Sequence, residues 1–139
     1  MKTLMIPIKQ GNSLCVRWLP SRRAFLSYLA TKHNKDRRVS GKGKCAYYMG
    51  YRLDDEHQVS GEIILFDDFF DADDVAHEVT HFVFDHFIKL NLDFKENEET
   101  AAGLIGSITG YILGWKQDIL TQSRRHGVWN GGIVINFVV

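Results

Sequence analysis

Residues 72–91 read ADDVAHEVTHFVFDHFIKLN and combine a helical pattern with a chemical motif. Its apolar residues recur at steps of three and four, the period of a helix with one buried face. They are Val75, Val79, Phe82, Val83, Phe87 and Leu90. Asp71, Asp73 and Asp74 stand at the start, where carboxylates favour the positive end of a helix dipole. The sequence therefore predicts a half-buried helix over about 72–91.

Within that helix lies His77-Glu78-Val79-Thr80-His81, an HExxH motif. Two histidines four residues apart share one helix face, about one turn apart, whereas His86 points about 180° away from His77. Two neutral imidazoles in this arrangement can bind one zinc ion, and the intervening Glu78 can take a proton from a zinc-bound water. The alternative is a helix with ordinary surface or core histidines.

A hydrolytic zinc site needs a third protein ligand and one open position. The next acidic cluster, Glu96-Asn97-Glu98-Glu99, opens a second helical pattern over about 97–121. Glu98 would lie in its first turn and could face the histidines across a helix-loop-helix. Glu99 is the alternative, because the facing of a helical residue is easily misjudged by one position.

The HExxH motif followed by Asn97-Glu98-x-x-Ala101 resembles the gluzincins, HExxH zinc peptidases whose third ligand is the glutamate of an NExxA-like motif. The chain looks most like minimal, phage-type zincin-like proteins, over about residues 74–104. The resemblance implies a zinc-dependent metallopeptidase that hydrolyses peptide bonds. It implies the following roles: His77, His81 and Glu98 as metal ligands, and Glu78 as general base.

The chain departs from this family pattern in one place and leaves one role open. Many thermolysin-like members have an aspartate four residues after the ligand glutamate, where this chain has Ala102. Asp74 or Asp85 is expected to hold a ligand histidine instead, since each is one helical turn from one. The tetrahedral oxyanion also needs a donor besides zinc. The candidates are Tyr47, Tyr48, Arg124, Arg125 and His126.

The rest of the chain predicts a small α+β domain spanning residues 1–139. Predicted strands are 2–8 and 13–19 in a hairpin, 45–53 and 59–66 as an antiparallel pair, and 132–139; a helix runs from a Ser21 N-cap to about 33. This order fits helices packed on one face of a mainly antiparallel sheet. By the zincin resemblance the strand near 61–66 could bind an extended peptide by strand addition; an interior strand is the alternative.

Two apolar features lie late in the chain. Gly103, Gly106, Gly110 and Gly114 form a stripe on the second helix, which suggests close approach to the motif helix, with a dimer face as the alternative. The segment 132–139 is nearly all apolar and is read as a buried strand, with an oligomer contact or insertion into the protein's own cleft as alternatives.

The composition of the chain limits the classes of function that are expected. Seventeen basic and seventeen acidic residues give no net charge, which disfavours a nucleic-acid-binding protein, although the basic stretch 17–44 leaves that open. The N-terminus has no signal-peptide pattern and no apolar run is long enough to span a membrane, so a cytoplasmic location is expected. Two hypotheses follow: a zinc metallopeptidase acting on a peptide or protein substrate, or a catalytically silent zincin-fold module that binds a protein partner.

Overall fold

The computed structural model describes residues 1–8, 12–32, 46–51, 59–67 and 69–122. The elements are β1 (Lys2–Ile8), β2 (Asn12–Leu19), α1 (Arg22–Lys32), β3 (Ala46–Gly50), β4 (Val59–Phe66), α2 (Ala72–Lys89) and α3 (Glu98–Gln122). Each matches a predicted element to within a few residues, and the α+β class is confirmed. The predicted strand 132–139 lies outside the described residues.

The strands form a mixed sheet in the order β1-β2-β4-β3. β1 pairs antiparallel with β2, and β3 with β4, as predicted. β2 and β4 run parallel, because α1 and β3 lie between them in the chain and form the crossover. Since β4 is hydrogen-bonded on both sides, it is an interior strand and offers no edge for an added peptide.

Helices cover both faces of the sheet, so the prediction of helices on one face is wrong. Side chains of a strand alternate between faces: Ile63 and Leu65 join the core under α2 and α3, whereas Ile64 and Phe66 pack with Phe25 of α1. β4 is therefore apolar on both faces, and each face requires a covering layer.

The predicted Ser21 N-cap of α1 is present, and the acidic residues predicted at the start of α2 form a cap there. Ser21 Oγ accepts a hydrogen bond from the Ala24 backbone N–H (3.2 Å) at the start of α1. At the start of α2, Asp71 accepts from the Asp74 backbone N–H (3.1 Å), and Asp74 accepts in return from the Asp71 N–H (3.0 Å). This capping box satisfies two backbone donors that the helix cannot use. The hydrogen bond from the Asp74 backbone lowers the pKa of Asp71.

α2 and α3 are antiparallel neighbours. Lys116, late in α3, donates from Nζ to the backbone oxygen of Phe70, just before α2 (2.7 Å). Trp18 of β2 fills the junction, edge-on to Phe70 (ring centroids 5.3 Å) and to Trp115 (5.9 Å). The head of α3 therefore lies beside the last turn of α2, and this placement decides which residues can meet the HExxH motif.

The glycine stripe of α3 does not face α2, which corrects that prediction. A Cβ built at Gly103, Gly106, Gly110 or Gly114 would meet no described atom within 4 Å. α3 instead packs through its opposite side, whose buried residues are Ala101, Leu104, Ile108, Ile112 and Trp115.

Replacing Gly106 with alanine is expected to raise the free energy of unfolding by about 0.5–1 kcal/mol, because alanine restricts the unfolded chain and has a higher helix propensity. Urea unfolding measures the change. Gly61→Ala is the opposing control, since its Cβ would lie 2.7 Å from the Tyr48 ring, and it should destabilise the protein. A lower free energy of unfolding for Gly106→Ala would contradict the finding that a Cβ at Gly106 meets open space.

Candidate metal centre

His77 and His81 lie together on the outer side of α2, as their spacing predicted. Their Nε2 atoms are 3.1 Å apart and their ring centroids 4.7 Å apart. Both residues are exposed, because the opposite side of α2 faces the core through Val79, Phe82 and its apolar neighbours. His86 points inward and is buried, in keeping with the predicted 180° separation.

The geometry of the pair fits two ligands of one zinc ion. Tetrahedral coordination with Zn–N bonds of about 2.0–2.1 Å places two ligand nitrogens about 3.3 Å apart. The observed 3.1 Å is within a few tenths of that value, and both nitrogens belong to side chains reachable from solvent. The same separation also suits a hydrogen bond between the two rings, so metal binding would replace one ring–ring contact with two metal–ligand bonds.

Glu78 lies beside the pair but turns inward. Its side chain is only 6 % exposed, whereas its two histidine neighbours are exposed. One residue on an α-helix corresponds to about 100°, which carries Glu78 from the outer face of α2 to the edge of its packed side. A carboxylate there is shielded from bulk water.

Glu98 and Glu99 are not brought to the pair. Both are exposed in the first turn of α3, which lies beside the end of α2. His81 is eight residues before the end of α2, about 12 Å along the helix axis. Within the described ranges, no group of three or more His, Cys, Asp or Glu side chains has a metal-binding arrangement. The structure thus assembles two of the three predicted ligands.

The two aspartates expected to support the histidines make other contacts. Asp74 belongs to the capping box of α2. Asp85 accepts a hydrogen bond from Tyr48 Oη (2.6 Å) and pairs with Lys89 (2.8 Å), whose Nζ also donates to the Ser60 backbone oxygen (2.7 Å). These contacts fix α2 on β3 and β4. They leave no described carboxylate in the predicted supporting role.

The two tyrosines predicted as candidate oxyanion donors also make other contacts. Tyr48 donates to Asp85, and burial together with that hydrogen bond raises its pKa. Tyr47 points to the other face of the sheet, where its ring meets Phe25 (centroids 6.4 Å). Arg124, Arg125 and His126 lie outside the described residues.

A second polar cluster, which the sequence reasoning missed, surrounds Glu62 on the α1 face of the sheet. The Glu62 carboxylate accepts hydrogen bonds from Arg17 Nε (3.0 Å), Tyr51 Oη (2.6 Å) and Tyr28 Oη. Burial and the bond to Glu62 raise the pKa of both tyrosines. A lone glutamate inside the apolar strand 59–66 was the one available indication.

Comparison with protein-family models, with curated proteins and with solved structures finds no match to this chain. The gluzincin resemblance accordingly stays a prediction made from residues 74–104. None of the described helices combines the length and apolar character that crossing a membrane requires.

Proposed function

We propose that this protein is a zinc-dependent, metallopeptidase-like protein in which His77 and His81 bind the metal and Glu78 is the general base. The observation that supports it best is the 3.1 Å separation of the two Nε2 atoms on an exposed helix face. Two neutral imidazoles already near the spacing of a tetrahedral zinc site need little rearrangement to bind the ion.

The proposed chemistry assigns one task to each side chain. Bound zinc would lower the pKa of a coordinated water toward 7 and polarise the scissile carbonyl. His77 and His81 orient the site, since both belong to one rigid helix. With zinc bound, the Glu78 carboxylate would accept the water proton and pass it to the leaving amine.

A catalytically silent binding module is the second candidate, and a separate observation favours it. The histidine pair lies on the outer face of α2, with His81 about 12 Å along the helix axis from the end of α2, whereas Glu98 is in the first turn of α3 beside that end. If only two protein residues bind the zinc ion, its remaining coordination positions can accept a side chain of a partner protein. Such a site needs no general base.

Glu78→Gln separates the two candidates. Hydrolysis of a broad panel of fluorogenic peptides should fall about 10²- to 10⁴-fold, the usual contribution of a general base, while zinc content by mass spectrometry stays unchanged. Glu96→Gln, at an exposed position before α3, is the matched control and should keep full activity. Equal rates for the wild type and Glu78→Gln, with zinc bound to both, would rule out the peptidase and support the silent module.

A further inference from the structure

α1 packs on the sheet through an apolar cluster that is separate from the main core. That cluster consists of Leu19, Phe25, Leu29, Ile64 and Phe66, and none of these residues belongs to the core under α2 and α3. Its central contact is the Phe25 ring stacked on Phe66, with centroids 4.4 Å apart. Detaching α1 would therefore leave the core between the sheet, α2 and α3 in place, which is the condition for a local opening.

A hydrogen bond also ties α1 to the sheet beside this cluster. Tyr28 of α1 donates to the Glu62 carboxylate of β4, which is 2 % exposed. Arg17 of β2 donates to the same carboxylate and its guanidinium lies over the Tyr28 ring (5.7 Å). Tyr28 thus contacts both members of an ion pair whose carboxylate is buried and whose guanidinium is partly exposed. Hydrogen bonds to charged groups are among the strongest that a side chain makes.

The sheet residues covered by α1 next to this contact are polar and include a thiol. Cys15 of β2 is the register partner of Glu62 and is buried. Burial raises the pKa of the Cys15 thiol to about 11, although Arg17 and Lys32, in the last turn of α1, act in the opposite direction. Opening α1 would remove Tyr28 and Lys32 together, expose Cys15 and Glu62 to solvent, and increase the exposure of Arg17.

We propose that α1 is a lid on the second face of the sheet, latched by Tyr28 on Glu62, which opens as a unit and uncovers Cys15, Arg17 and Glu62. This inference is independent of the metal site, because the lid and the histidine pair lie on opposite sides of the sheet.

Native-state hydrogen exchange of the full chain tests the lid. In the wild type, the opening free energy measured at the amides of Arg22–Lys32 should fall less steeply with urea than the one measured at the amides of Glu98–Gln122. A shallower slope means that the opening exposes less surface. Tyr28→Phe should speed exchange in α1 about tenfold to a hundredfold, the loss of one hydrogen bond to a charged acceptor, and α1 should keep its smaller urea dependence than α3. Tyr47→Phe is the matched control, since its ring joins the same cluster and its hydroxyl bonds no described residue.

Alkylation of Cys15 by iodoacetamide supplies a second readout, in a Cys45→Ser background that leaves one thiol. Tyr28→Phe should accelerate labelling by the same factor as α1 exchange. Identical urea dependence for α1 and α3 in the wild type would overturn the lid. So would a Tyr28→Phe effect no larger than that of Tyr47→Phe, or labelling that tracks global unfolding.

Discussion

Replacing His77 or His81 with alanine is expected to weaken zinc binding at least about a hundredfold. Loss of a partner that merely supports a ligand already costs 10- to 100-fold in metal affinity, and here one of two ligands would be lost. The fold should be unaffected, because both side chains are exposed on the outer face of α2 and exposed substitutions change stability by about 0.5 kcal/mol or less. Competition titration against a chelator measures the affinity.

Ile88→Ala provides the control for the histidine variants. Ile88 lies on the same outer face of α2, is 76 % exposed and carries no metal-binding atom. Its zinc affinity should equal that of the wild type. Alanine variants of His77 and His81 that bind zinc as tightly as Ile88→Ala would place the metal elsewhere.

Replacing Phe70 with alanine is expected to lower the free energy of unfolding by about 3–5 kcal/mol, the usual effect of emptying a buried phenylalanine site. Phe70 is fully buried, meets Trp18 edge-on and has the Lys116 ammonium 4.3 Å from its ring centroid. The cavity would open where the sheet, α2 and α3 meet. Urea denaturation followed by circular dichroism measures the change.

The neighbouring Phe69 is a matched control for this variant, because the two residues are the same type and adjacent in the chain. Phe69 is 78 % exposed, so Phe69→Ala should change stability by only about 0.5 kcal/mol or less. Similar losses for the two variants would contradict the described junction.

The elements of the fold were predictable because their causes are local. The period of three and four residues and the acidic cap at Asp71 predict where α2 begins, and β1 has the predicted bounds. The sheet order and the position of α1 depend on contacts between distant residues. One local indication was present: β4 is apolar on both faces, at Ile63 and Leu65 as well as at Ile64 and Phe66, and a strand of that kind is covered on both sides.

In the candidate site, too, local features were predictable and features that depend on distant residues were not. The spacing of His77 and His81 fixes their proximity within one helix, so the sequence predicts it. The third ligand depends on how α3 lies against α2. Because the two helices are antiparallel, Glu98 lies beside the last turn of α2 rather than beside the histidines. The Glu62 cluster was missed because its donors, Arg17, Tyr28 and Tyr51, come from three distant segments.

Anomalous diffraction at the zinc edge would locate the metal bound by His77 and His81. Crystals of the full chain grown with equimolar zinc should show one peak about 2.0–2.1 Å from the Nε2 atoms of both histidines. The same map would identify every other ligand of the ion. An anomalous map without a peak between His77 and His81 would show that the pair does not bind zinc.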